Sequence, residues 1–307
     1  MKLFHHFAHE CSAHLTGVWA TSLWPQVWSH AITMACEYDF LMHAILCISA
    51  RHLAFLLPDK PKYSIAAADH LSRTLHAYRR DLSGNFNRSN IDALMATAVL
   101  LHYELWTETD FVSKDSDGVV IFDPVDDRLL ELSIGLQQVP REALVKAARV
   151  TTNTLEAFLT HFSREQALRP DLLDVPIPCR QGTDLAPQDC FYAPAPDCMS
   201  GSKELEESEA YACILPRLCL LSSFLPKAHE GPPDFADHLP DIARYIFTFP
   251  VLCSRAFAKM VKRSDPMAIL ILHHFDRVSG RLLPRTNFWW AQKTNGHVAN
   301  SVTGLAA

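Results

Sequence analysis

The sequence predicts an all-α protein, and three observations carry that expectation. The stretch DFLMHAILCISARHLAFLL, residues 39–57, is stopped by Pro58 and sets Phe40, Met42, Ala44, Ile45, Leu46, Ile48, Leu53, Phe55, Leu56 and Leu57 around every side of a helix. A helix apolar all round must be covered on all sides, so it reads as the core element. Only ten glycines occur in 307 residues, and neither G-x-G-x-x-G nor G-x-x-x-x-G-K-[ST] is present. That removes the tight turns and phosphate loops on which a doubly wound α/β enzyme depends. Apolar residues otherwise recur at three-to-four spacing, and no convincing strand pattern appears. The expectation is one large array of about nine or ten helices: a first half over 15–168, a Pro-rich loop over 169–202, a second half over 203–293 and a tail over 294–307.

Each element has its own justification. Residues 2–36 hold a short amphipathic segment and a Trp-rich turn, with Trp24, Val27 and Trp28 as packing groups ahead of a helix over 30–36. The 39–57 helix has nearly the length of a membrane span. Arg51, His52, His43 and Ser49 would lose hydration in lipid, at about 2.5–3.5 kcal/mol for one central Arg, so it is read as a soluble core helix. Pro58 and Pro61 then turn the chain into an amphipathic helix over 63–82, with Ile65, Ala68, Leu71, Leu75 and Tyr78 as its stripe and Gly84 as its stop. Ser89 or Asn90 caps a helix over 91–106.

Beyond it, 107–118 is polar and acidic and reads as a loop, 122–139 is partly helical, and Pro140 opens a helix over 141–168. Six prolines in 169–202 leave too few N–H donors for regular structure. A helix over 203–225 is expected to kink or break at Pro216, short helices begin at Pro240 or Asp241 and at Pro250, and Asp265-Pro266 opens a last helix stopped by Gly280.

Composition narrows the function. Net charge is −6 with a pI near 6.2, and the basic clusters Arg79-Arg80 and Lys259, Lys262, Arg263 are too small to neutralise several phosphates, so these residues are not expected to bind DNA themselves. Nine scattered cysteines with no Cys-x-x-Cys indicate reduced, intracellular usage without a zinc finger or thioredoxin motif. No secretory or transit signal is visible at the N-terminus, which suggests cytoplasm or nucleus.

Chemical constellations are few, and no catalytic residue is assigned because G-x-S-x-G, H-E-x-x-H and a recognisable Cys/His pair are missing. His5, His6, His9, Cys11 and His14 offer ligands at helical spacing, although a terminal His cluster is ordinarily a solvated segment. His273 and His274 point about 100° apart and read as structural. Asp123, Asp126, Asp127 and Glu131 offer a weak alternative site for Mg²⁺ and a diphosphate, against the simpler reading of an acidic helix start. No cofactor and no metal are assigned.

The run LWPQVWSHAITMACEYDFLMHAILCISARHLAFLLP, the 63–82 helix and SNIDALMATAVLLHYELW together resemble the regulatory domain of fungal zinc-cluster transcription factors, in the branch that includes the sterol uptake control protein. Leu41, Met42, His43, Ala44, Ile45, Leu46, Ile48, Ser49, Ala50, His52, Leu53 and Ala54 match the core-helix pattern of that family. DPMAILILHHFDRV and the closing NFWW resemble its late blocks, so the likeness spans roughly 15–293. The zinc-cluster spacing Cys-x2-Cys-x6-Cys does not occur, so the resemblance implies a regulator that reaches DNA through a partner, as a homodimer or heterodimer.

Three readings follow. In the first, the resemblance implies a transcription regulator, nuclear or cytoplasmic, that takes a sterol or terpenoid-like lipophile into an apolar cavity and controls sterol or secondary-metabolite genes. Leu41, Met42, Ile45, Leu46, Met95, Leu101, Met267 and Leu270 are the expected lining, because Met adapts to irregular apolar space and these helices hold the matching blocks. The second is an enzyme recruited from the fold to act on a terpenoid or polyketide intermediate, and the third a non-catalytic interaction module.

Overall fold

The computed structural model describes residues 1–17, 24–84, 90–108, 113–114, 120–121, 128–136, 139, 203–225, 239–286 and 288–291. The expected 141–168 helix, the Pro-rich 169–202 loop and the 294–307 tail lie outside these residues. Within them the protein is a helical array, as the sequence predicts. In chain order the elements are α1 (Lys2–His6), a π-helical turn (Phe7–Cys11), α2 (Ser12–Thr16), α3 (Trp24–Met34), α4 (Asp39–Leu56), α5 (Lys62–Leu82), α6 (Ile91–Glu108) and α7 (Arg128–Leu136). They continue with α8 (Lys203–Ser223), α9 (Leu239–Leu252), α10 (Arg255–Lys262), α11 (Pro266–Leu282) and a closing 3₁₀ turn (Leu283–Arg285). A two-residue antiparallel pair, β1 (Ser113–Lys114) with β2 (Val120–Ile121), interrupts the segment read from sequence as loop.

The chain divides into two units. The first comprises Met1–Glu108, Leu136–His161 and Phe288–Trp290. Its centre is α4, which packs most extensively on α5, then on α6, and also meets the N-terminal helix and α3. Ten residues of α4 are buried, among them Phe40, Leu41, Ala44, Ile45, Cys47, Ile48 and Ala50. Small side chains bring α4 and α5 close, with Cys47 and Ala50 against Ala67. Hydrogen bonds between helices complete the frame. Tyr78 of α5 donates to the Leu94 carbonyl at 3.1 Å. Tyr103 of α6 donates to the Leu15 carbonyl at 2.9 Å, and Ser49 of α4 to the Leu3 carbonyl at 2.6 Å. Arg51, which argued against a membrane span, finds a carboxylate inside the unit: its Nε and Nη2 approach Glu104 Oε1 at 2.7 and 2.6 Å.

The C-terminal NFWW motif supplies part of this same core. Trp290 meets Trp106 and Tyr103 edge-on, with ring centroids at 5.7 and 6.0 Å. Phe288 stacks on Trp290 and leaves a Cβ at Gly17 only 3.3 Å of room.

The second unit comprises Thr109–Gly135, Phe162–Asn287 and Ala291–Ala307. Its core includes the stacked rings of Phe249 and Phe275, 4.0 Å apart. Arg217 donates to Thr248 Oγ1 at 3.0 Å and lies over the Tyr245 ring. The expected 30–36 helix instead runs over Trp24–Met34, taking in the Trp-rich segment read as a turn, and three features of the second unit also differ from expectation. Pro216 lies within a continuous α8, Pro250 lies in the last turn of α9 instead of starting a helix, and α11 runs past Gly280 to Leu282. Each proline removes one N–H from the helical ladder, a loss that burial in the array outweighs.

The start of α11 follows the sequence reading closely. Asp265 is its N-cap, accepting from the N–H groups of Met267 and Ala268, and Pro266 occupies the first turn. The Ala268 N–H, then the Tyr211 hydroxyl, the Met267 N–H and Arg263 hold the Asp265 carboxyl below its ordinary range. Asp265→Ala is expected to cost about 1 kcal/mol in denaturant unfolding near neutral pH. Because the folded-state pKa is depressed, this contribution is present above the ordinary aspartate range and fades as pH falls through the folded value. The gap between wild type and variant should therefore close in acid; a gap that persists there would assign the effect to something other than the carboxylate.

Candidate functional site

The residues expected to line a cavity separate by position. Leu41 and Ile45 on α4 and Met95 and Leu101 on α6 are buried in the first unit, on two helices that pack together. Met42 and Leu46 are half-buried. Met267 and Leu270 belong to α11 in the second unit, where they are 50% and 48% exposed. Of the acidic group, Asp123, Asp126 and Asp127 lie outside the described residues, and exposed Glu131 is paired with Lys262 at 2.7 Å. His273 and His274 are both exposed. Open depressions of about 520 Å³ run along α5, one lined by Ser72, Leu75, His76, Arg79, Arg80 and Ser83, and another reaching Asp39, His43 and Arg73. Their walls mix polar and apolar surface in about equal parts, and none of the eight apolar residues contributes to them.

Among the described residues, the strongest convergence of chemically active groups lies at the joint between the N-terminal helix and α4. An ordinary α-helix sets residues five apart about 140° away from one another, which would separate His6 from Cys11. The π-helical turn Phe7–Cys11 changes that rotation, and both side chains turn toward His52 on α4. His6 Nε2 lies 3.2 Å from His52 Nδ1, and Cys11 Sγ lies 3.2 Å from the same nitrogen. The three donor atoms all fall within 4.8 Å of one another. Cys11 and His52 are buried and His6 is half-buried. Around them, the Trp289 ring covers His52 at 4.9 Å and the His14 ring meets it edge-on at 5.1 Å.

The electrostatics follow from burial. Desolvation, followed by the neighbouring His6 and His14, pushes the His52 pKa down to about 4, so its ring is neutral near pH 7. Desolvation likewise lowers His6, and Glu10 opposes that shift. Burial pushes the Cys11 thiol up to about 12, against a lowering contribution from the Ser49 hydroxyl beside it. In sequence, His6 and Cys11 were visible as part of a terminal His cluster. His52 was missed as their partner because it lies 41 residues beyond Cys11, and the π turn has no composition signal of its own.

The class these features define is an all-helical array domain built around one covered apolar helix. Residues 2–119 match the family described as fungal specific transcription factor domain. Over 102 residues, a third of the chain, it is 33% identical to Sterol uptake control protein 2 of Saccharomyces cerevisiae, covering 10% of that protein. Over 289 residues, 94% of the chain, it is 21% identical to Zn(2)-C6 fungal-type transcription factor afumD of Aspergillus fumigatus, covering 69% of it. Similarity to Sterol uptake control protein 2 of Candida albicans is 21% over 277 residues, 90% of the chain and 35% of the relative. The chain thus matches only a tenth of one sterol uptake control protein and about a third of the other.

Proposed function

We propose that this chain is the regulatory part of a fungal transcription regulator acting in the nucleus, and that its first unit takes a sterol or related lipophile. The observation that carries this reading is the 33% identity to a sterol uptake control protein, in a chain whose family segment is built on α4. Leu41, Ile45, Met95 and Leu101 give α4 and α6 the apolar, partly Met-lined surfaces that suit such a ligand. A lipophile that binds one packing of these helices better than another would shift an existing equilibrium, which is all a ligand-gated regulator requires. With a net charge of −6, these residues are not themselves expected to make the DNA contact.

Mass spectrometry of lipids extracted from the purified protein, together with fluorescent-sterol binding, tests the reading. Met95 is buried on α6, so Met95→Trp separates a cavity from a solid core. With a cavity, the larger ring fills it at small cost in melting temperature and abolishes sterol uptake. In a solid core it overpacks, costs about 1–3 kcal/mol, and does so with or without the probe. A wild type that neither retains nor binds a lipophile, with a strongly destabilised variant, would remove the ligand from this proposal.

A further inference from the structure

The cluster at the joint of the N-terminal helix and α4 poses a hydrogen-bonding problem that protons alone solve poorly. His52 Nδ1 carries either one hydrogen or one lone pair, yet two polar atoms, His6 Nε2 and Cys11 Sγ, each stand 3.2 Å from it. One proton or one lone pair serves a single good hydrogen bond, so His52 Nδ1 satisfies one of the two neighbours at a time, and the Cys11 thiol has the Ser49 hydroxyl as its other partner. A cation at the centre would use a lone pair from each of the three atoms at once.

The geometry is close to what such an ion needs. Tetrahedral zinc with bonds of about 2.0–2.1 Å to nitrogen and about 2.3 Å to sulfur sets its nitrogens roughly 3.3 Å apart and nitrogen from sulfur roughly 3.6 Å apart. The His6–His52 and Cys11–His52 separations of 3.2 Å are a few tenths of an ångström from these values, and His6 Nε2 and Cys11 Sγ lie within 4.8 Å of each other, so closing on an ion would draw that edge in. We propose that His6, Cys11 and His52 form a binding site for one tetrahedral cation of the Zn²⁺ type, with Cys11 as thiolate and the fourth position left to water or His14.

The surroundings fit the donor set. Two imidazoles and a thiolate suit a borderline-soft ion and not the hard, oxygen-seeking Mg²⁺ or Ca²⁺. A neutral His52 in its Nε2–H tautomer presents the Nδ1 lone pair, so ion entry displaces the proton of the thiol, which leaves to solvent. Ser49 stands beside Cys11 with its hydroxyl hydrogen committed to the Leu3 carbonyl, and the Glu10 carboxylate lies near enough to influence His6 and Cys11. The bound ion would fasten the N-terminal helix to α4, adding to the Ser49–Leu3 hydrogen bond.

Titration of the reduced, purified chain with Co²⁺, a coloured substitute for Zn²⁺, tests the site. The expected result is uptake of one ion with the visible spectrum of tetrahedral cobalt and an ultraviolet thiolate-to-cobalt band, both abolished by Zn²⁺. Cys11→Ser should remove the thiolate band. His6→Ala, at a half-buried position where folding is little affected, should weaken binding at least tenfold. The exposed His5–His9 pair, with ring centroids at 4.2 Å, is the competing chelator, and His5→Ala/His9→Ala should leave the spectrum unchanged. A wild type without tetrahedral cobalt bands would overturn the site. So would binding that survives both Cys11→Ser and His6→Ala but is lost with His5 and His9, which would mark adventitious histidine chelation. Circular dichroism identifies a misfolded variant, and the wild-type spectrum with the His6→Ala titration then decides alone.

Discussion

Ile45→Asp is expected to abolish folding of the first unit. Ile45 is fully buried on α4, the helix that α5, α6, α3 and the N-terminal helix all cover. An aspartate there would bury a carboxylate without a designed partner, or force it to take up a proton, and either course costs several kcal/mol. Such a loss is comparable to the whole stability of many domains. Circular dichroism should show loss of helical signal and of the cooperative transition. A soluble variant with an unchanged melting curve would make α4 peripheral and overturn the architecture described above.

The second large effect is expected at Arg51. Its side chain is largely buried and that of Glu104 almost wholly so, and the pair joins α4 to α6. Arg51→Leu leaves the Glu104 carboxylate in the interior without the cation opposite it, a change that costs about 3–5 kcal/mol in comparable buried pairs. The double change Arg51→Leu/Glu104→Leu should be much less damaging, because removing both charges also removes the cost of desolvating them. Urea unfolding of the two variants distinguishes the cases. Equal destabilisation of single and double variants would show that the contribution is steric packing and not charge.

These two positions show where the sequence was informative. Ile45 was legible because α4 advertises itself locally, by an unbroken apolar surface and a proline stop, and its predicted limits of 39–57 agree with Asp39–Leu56 to one residue. The Asp265-Pro266 start of α11 was legible for the same reason, since a cap is a contact between near neighbours. Pro216 and Pro250 misled because a helix-breaking propensity of a few kcal/mol is overridden when the helix lies against a core. The β1–β2 pair was too short to leave an alternating pattern. Glu104 facing Arg51 and His52 facing Cys11 were hidden because tertiary packing, not spacing along the chain, brings each pair together. Of the residues expected around a cavity, the α4 and α6 members share a unit because those helices are neighbours, whereas periodicity could not show that Met267 and Leu270 belong to the other unit.

The return of Phe288–Trp290 to the first unit sets the order in which the protein can be made. When Glu108 leaves the ribosome, α1 to α6 are all synthesised, yet the rings that cover His52 and wedge against Tyr103 and Trp106 are still untranslated. At about 5–20 residues per second, the wait for them is on the order of ten seconds or more. During that interval the nascent first unit displays an aromatic cleft that chaperones can hold. A premature stop codon shortly before Phe288 is accordingly a lesion of the first unit, although it lies far downstream of α1 to α6.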